Sequence, residues 1–225
     1  DGGVGMDTAV MHVVNQAPVV TLGVDHFGVP EGTEHVHTHF FSDLGAGDTH
    51  ELVIDWGDGS AVETQESTAD ASGGLTIPLI HSYADDGEYT LTVTVTDDDG
   101  GVGSDTAVMH VVNVAPDLYP IAQQTIGEGS LLTFIVGATD VVLDSLTFAL
   151  GAGGPAGATI DSATGLFTWT PNEAQGPGSY TFDVIVTDDD GLSDTEPVTI
   201  AVTEVNQAPV LAPILDQAVA EGALL

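Results

Sequence analysis

One strand-turn-strand unit, written three times, restricts this chain to small β domains in series. Its clearest copy runs from Thr90 to Pro116, TLTVTVTDDDGGVGSDTAVMHVVNVAP. Leu91, Val93 and Val95 alternate with threonines, the period of two that marks a half-buried strand. Asp97-Asp98-Asp99-Gly100-Gly101 supplies turn chemistry. A second strand is predicted over Thr106–Val112, and Pro116 ends sheet pairing. Asp1–Pro18 repeats Asp99–Pro116 at all but two positions, Met6/Ser104 and Gln16/Val114. Tyr180–Pro209 repeats the design with a slightly longer second strand. The closing prolines, Pro18, Pro116 and Pro209, are 98 and 93 residues apart. That period fits one β domain of about 100 residues.

The predicted organisation follows from the period. Residues 1–15 read as the last strand of a preceding repeat, 16–113 and 114–206 as two full units, and 207–225 as the start of a third. The chain is expected to be a stretch of a longer array.

Charge narrows the function. The chain has 35 Asp and Glu and neither Lys nor Arg, a formal net charge of -35. Its carboxylates must therefore be solvated, hydrogen-bonded or neutralised by bound cations. Nucleic acid and anionic membrane are excluded as partners by this reading, because both are held through basic residues. Lys–Asn isopeptide cross-links are impossible without lysine. Cysteine is absent too, so no disulfide can stabilise the fold, and an acidic, thiol-free β repeat suits an extracellular setting. No apolar run is long enough to span a membrane, and no signal peptide is evident.

Within residues 16–113, Asp55–Ser60 (DWGDGS), His81-Ser82-Tyr83, Gly87-Glu88-Tyr89-Thr90 and Leu91–Asp97 together resemble the polycystic-kidney-disease-type (PKD) repeat. The family pattern is nearer W-x-F-G-D-G-S; here tryptophan directly precedes Gly57. The resemblance implies a seven-strand Ig-like sandwich found in extracellular proteins, without catalytic activity of its own. The second unit lacks the GDGS turn. Its Gly157–Pro171, with Asp161, Thr164-Gly165, Phe167, Trp169 and Pro171, resembles the bacterial cadherin-like or "putative Ig" repeat. Glu204–Pro209 reads EVNQAP where vertebrate-cadherin linkers read D-x-N-D-N-x-P. The expected fold is all-β, tandem Ig-like antiparallel sandwiches, PKD-type then cadherin-like.

In such a sandwich the loop between the second and third strands lies at the same end as the final hairpin turn. That would place Asp43 with Asp97–Asp99 and Asp140 with Asp188–Asp190. Strand parity carries inward-facing Val93 and Val95 on to Asp97 and Asp99, and Val184 and Val186 on to Asp188 and Asp190. Glu31 and Glu128 lie in the first bends, at the opposite end, beside the exit linkers at Asn113 and Asn206. Stacked head to tail, Glu31, Asn113, Asp140, Asp188 and Asp190 would converge. Hard oxygens in that number suit Ca²⁺, and the resemblance implies the same ion. The candidate ligands are Glu31, Asp43, Asp97, Asp99, Asn113, Glu128, Asp140, Asp188, Asp190, Glu204 and Asn206. The alternative is that the acidic runs are only solvated turns.

His35, His37 and His39 alternate on one strand face that also carries Phe41. They are expected to pack inward rather than to hold a transition metal, since three in a row span too far for one ion without help from another strand. His81 is expected to pack near the Trp56 turn. Enzyme signals are poor: no nucleophile elbow, no cysteine, and Gly151–Gly157 lacks the helix and lysine of a phosphate loop.

The chain is thus read as a non-catalytic structural or adhesive module of a large extracellular surface protein, stiffened by Ca²⁺ at its inter-domain junctions. Its expected partners are neighbouring repeats, like chains, and cell-surface glycans or proteins. Two alternatives are a carbohydrate-binding or accessory module of a secreted hydrolase, and a filament subunit assembled by strand addition.

Overall fold

The computed structural model describes residues 7–45, 47–68, 74–213, 215, 216, 218 and 221. The first six positions of the predicted leading strand, and Gly222 of the following repeat, lie outside the described residues. Residues 7–18 form no strand and are exposed except at Pro18.

Alternating apolar residues fold residues 19–112 into eight strands: β1 (Val19–Thr21), β2 (His26–Pro30), β3 (His35–Ser42), β4 (His50–Asp55), β5 (Glu63–Ser67), β6 (Leu75–His81), β7 (Gly87–Asp97) and β8 (Val102–Val112). They form a three-stranded sheet, β1-β3-β6, and a five-stranded sheet, β2-β8-β7-β4-β5. Phe41, Ile77 and Leu79 from the first sheet and Leu52, Ile54, Leu91, Val93, Val95, Met109 and Val111 from the second form one buried core. Each such side chain contributes roughly 1.5–3 kcal/mol of apolar burial.

The opening segment of this sandwich is broken twice. Its turn lies at Glu31–Thr33, and the chain before it already breaks at Gly23, between β1 and β2. β1 pairs antiparallel with β3, whereas β2 pairs parallel with β8, so the first strand of the sandwich is shared between both sheets. Gly28 makes an irregularity inside β2, where the register shifts between Phe27 and Val29. Its φ of 72° is open to glycine at no steric cost.

The tryptophan turn anchors this sandwich. Trp56 is buried, stacks on His81 at 4.4 Å between centroids, and donates from Nε1 to Glu63 Oε1 at 3.0 Å. Gly57, at φ 78°, is required there: a Cβ would lie 2.5 Å from the Thr90 carbonyl oxygen.

The second sandwich comprises β9 (Asp117–Leu118), β10 (Gln124–Gly127), β11 (Leu132–Ile135), β12 (Ala138–Thr139), β13 (Thr147–Leu150), β14 (Thr159–Ile160), β15 (Leu166–Trp169), β16 (Gly178–Thr187) and β17 (Ser193–Thr203). Its sheets run β10-β17-β16-β13, β11-β15-β14 and β12-β9. The buried residues include Phe148, Phe167, Trp169, Phe182, Val184, Val198, Ile200 and Val202. β10 pairs parallel with β17, as β2 does with β8. A short 3-10 turn at Glu173–Gln175, capped by Asn172, precedes β16. The fold is all-β, a tandem of Ig-like sandwiches.

By compactness the chain falls into two units. One comprises Asp1–Leu118 with Ala138–Thr147 and Val186–Asp194; the other comprises Tyr119–Gly137, Phe148–Ile185 and Thr195–Leu225. The loops of the second sandwich that carry Asp140, Asp144 and Asp188 therefore belong to the first unit.

Candidate cation-binding site

The turn between β16 and β17 holds its first aspartate in a fixed pose. Asp188 N–H donates to the Leu192 carbonyl at 3.1 Å, and Leu192 N–H donates back to Asp188 Oδ1 at 2.8 Å. This closed loop buries the Asp188 side chain to 4% exposure. Its other oxygen, Oδ2, accepts from Asn113 Nδ2 at 3.0 Å. Oxygens of Asp140, Asp144 and Asp188 lie within 4.8 Å of one another.

A second group is set by the bend after β2. Glu31 N–H donates to the Val112 carbonyl, and Glu31 Oε1 accepts from Val114 N–H at 2.7 Å. These bonds pin the carboxylate beside the end of β8, where it is 1% exposed. Oxygens of Glu31, Asp85 and Asp86 again lie within 4.8 Å of one another.

Electrostatics ties the groups together. Burial first, and then the charges of Glu31, Asp140, Asp189 and Asp85, push the Asp144 carboxyl up to about 6. Glu31 is raised by burial and by Asp86, Asp85 and Asp140, against the lowering effect of the Val114 N–H. Asp140 is raised by burial and by Asp188 and Asp189, although Val141 N–H donates to it. Glu31 Oε2, Asn113 Oδ1, Asp140 Oδ2 and Asp144 Oδ2 are buried without a protein hydrogen-bond partner. Buried oxygens left in that state are costly unless something fills them. A hard cation taking six to eight oxygens fits this donor set.

The other predicted ligands are placed as follows. Glu128 repeats the Glu31 arrangement: its N–H donates to the Thr203 carbonyl, and its Oε1 accepts from Val205 N–H at 3.1 Å. It groups with Glu204 and Glu173, and its Oε2 is a further buried oxygen without a partner. The charge of Glu128, and then burial, raises Glu204. Asn206 is exposed. Asp43 forms a buried pair with His50, Oδ2 to Nε2 at 3.0 Å. Asp97 is buried, but Asp99 and Asp190 are exposed, because strand parity ends where the turn begins. Asp190 is nonetheless raised, by burial and then by the charge of Asp86.

Asp85, Asp86, Asp144 and Glu173 were not among the predicted ligands. The signal was available for three of them. Asp85, Asp86 and Glu173 lie in the loops entering β7 and β16, the penultimate strands, and those loops share an end of the sandwich with the first bend.

Residues 15–112 match the family model described as "PKD domain", and residues 111–203 the model described as "Putative Ig domain". No curated protein is significantly similar to the chain. Among solved structures, Drosophila N-cadherin EC1-3 is similar at 20% identity, with 85% of this chain and 69% of that one covered, TM-score 0.37. An endo-fucoidan hydrolase of glycoside hydrolase family 107 is 20% identical over 84% of this chain and 29% of its own, TM-score 0.36. The insect immune protein hemolin is 12% identical over 83% and 47%, TM-score 0.48. The chain thus spans less than a third of the hydrolase's length and about half of hemolin's.

Proposed function

Because the chain carries a PKD domain followed by an Ig-type domain of the second family, we propose that it is a non-catalytic repeat module of a large extracellular surface protein. It serves as a spacer or adhesin shaft, and Ca²⁺ stiffens it. Both domain types are typically extracellular and typically non-catalytic. No helix among the described residues is long and apolar enough to cross a membrane.

The observation that carries the calcium reading is the set of buried, unpartnered oxygens on Glu31, Asn113, Asp140 and Asp144, in a chain with no Lys or Arg to neutralise them. Glu31, Asp85, Asp86, Asp140, Asp144 and Asp188 would supply carboxylate oxygens, with Asn113 orienting Asp188. The cation supplies positive charge; the side chains supply its cage and its position. Glu31, Asp85 and Asp86 belong to the PKD match and Asp140, Asp144 and Asp188 to the Ig match, so cations held by these two groups would engage residues of both. With calcium, small-angle scattering should report a less flexible chain than in chelator. Superimposable profiles in the two conditions would overturn the reading.

Residues 7–15 favour one addition. They repeat residues 105–113, most of β8, letter for letter, yet they form no strand, and Val10, Met11, Val13 and Val14 are exposed. This supports their assignment as the last strand of another sandwich, whether a preceding repeat or a like chain. The carbohydrate-binding reading draws no support from Trp56 and Trp169, which are both buried.

A further inference from the structure

Inside the first sandwich, histidines occupy positions that apolar side chains would ordinarily fill. His35, His37 and His39 project inward from β3, on the face that also carries Phe41. Neighbouring rings in this run are 6.1 Å apart between centroids, at shallow interplanar angles. From β2, His26 meets His37 edge-on at 4.7 Å and His39 at 5.9 Å. His37 and His39 are each 5% exposed. Nε2 of all four rings is buried without a partner. His39 Nδ1 has one bond, to the Leu22 carbonyl at 3.3 Å.

The surroundings offer little to a charged imidazole. The turn after β4 presents Trp56, 6.3 Å from His37. β8 sets Met109 opposite His26, and β6 sets His81 opposite His35. His81 is already bound to Asp58 at 2.8 Å. The nearby carboxylates of Asp25 and Asp105 are bonded to the Val108 and Leu22 N–H groups.

We propose that the imidazole stack of His26, His35, His37 and His39 makes the first sandwich acid-sensitive: it packs closed while the rings are neutral and opens when they take up protons. A charged His37 would sit beside the other three rings, in apolar surroundings, and among the described residues none of the four is ion-paired to a carboxylate. Burial first, then His26, His39, His35 and His81, lowers His37 to about 4. Burial also lowers His39, against its bond to the Leu22 carbonyl. The sign follows. An unfolded chain protonates His37 and His39 near pH 6.5, whereas folding lowers both, so stability falls as pH drops below about 6.5, for His37 down to about 4. For each ring kept neutral, the unfolding equilibrium rises about tenfold per pH unit in that window. The raised carboxylates act in the opposite sense, so the contribution of the stack must be read as a difference.

The test uses the whole chain in chelator, comparing wild type with His37→Phe from pH 7 to pH 4.5. The unfolding equilibrium of wild type should rise about tenfold more per pH unit than that of the variant. Parallel pH dependences would overturn the proposal. If the variant does not fold, imidazole titration of wild type by NMR decides: His37 should stay neutral in the folded protein until below pH 5. Titration near 6.5 with the fold intact would refute the mechanism.

Discussion

The turns that begin at Asp97 and Asp188 are built alike and differ in how their charge is settled. Each aspartate closes its turn with its own N–H and side chain, on Gly101 in one case and Leu192 in the other. Each accepts from an asparagine four residues or fewer before a closing proline, Asn15 or Asn113. Each turn bonds its second aspartate to a backbone N–H: Asp98 accepts from Thr49 and Asp189 from Ser145. That match aligns His50 with Leu146, the residues that follow Thr49 and Ser145.

The contrast starts at that position. At the first turn, His50 is buried against Asp43. Burial would raise Asp97, but Asn15 and the N–H groups of Gly101, Asp99 and Gly100 hold it below the usual carboxylate range. At the second turn, leucine can donate nothing, and Asp140 and Asp144 are raised with unpartnered oxygens. At the first tip the protein's own donors meet Asp43 and Asp97; at the second, a cation is the partner proposed for Asp140 and Asp144.

Removing the internal donor should break this contrast most sharply. His50→Leu strips Asp43 of its buried partner and should cost about 3 kcal/mol of stability, measured by denaturant unfolding in excess calcium. An unchanged midpoint would mean that Asp43 does not depend on His50.

A matched pair of substitutions then sharpens it. Asn keeps an oxygen to accept from the turn N–H while removing the charge. Asp188→Asn should weaken calcium binding at least tenfold, about 1.4 kcal/mol, whereas Asp97→Asn should alter it by about twofold or less. Equal losses in calorimetric titration would erase the distinction between the tips.

Much of this architecture was legible in the sequence, because alternation constrains neighbours along a strand. Leu91, Val93 and Val95, the inward histidines of β3, and the stacking of His81 on Trp56 all follow from local pattern or family likeness. Parity also led correctly to buried Asp97 and Asp188. It failed at Asp99 and Asp190 because a turn no longer alternates. The pairing of Asp43 with His50 and the addition of Asp144 depend on side-chain approach across a loop, which spacing does not encode. Parallel pairing of β2 with β8 was hidden for a similar reason: a single glycine break lets one segment serve two sheets.

The smallest expected effect is on pH. Asp144, held at about 6, takes a proton between pH 7 and 5, and protons then compete with the cation. Calcium affinity should fall across that interval in wild type and vary less in Asp144→Asn. Identical pH profiles would remove Asp144 from the site.

The most direct test of the account is thermal unfolding in three buffers: chelator, calcium, and sodium chloride matched to calcium in ionic strength. An ion bound only by the folded chain, at a thousandfold excess over its Kd, adds about 4 kcal/mol, or roughly 10 °C in melting temperature for a chain of this size. The account predicts a marked fall in chelator that calcium restores and sodium chloride does not. Equal melting temperatures in chelator and calcium would contradict it, and the acidic groups would then be solvated turns.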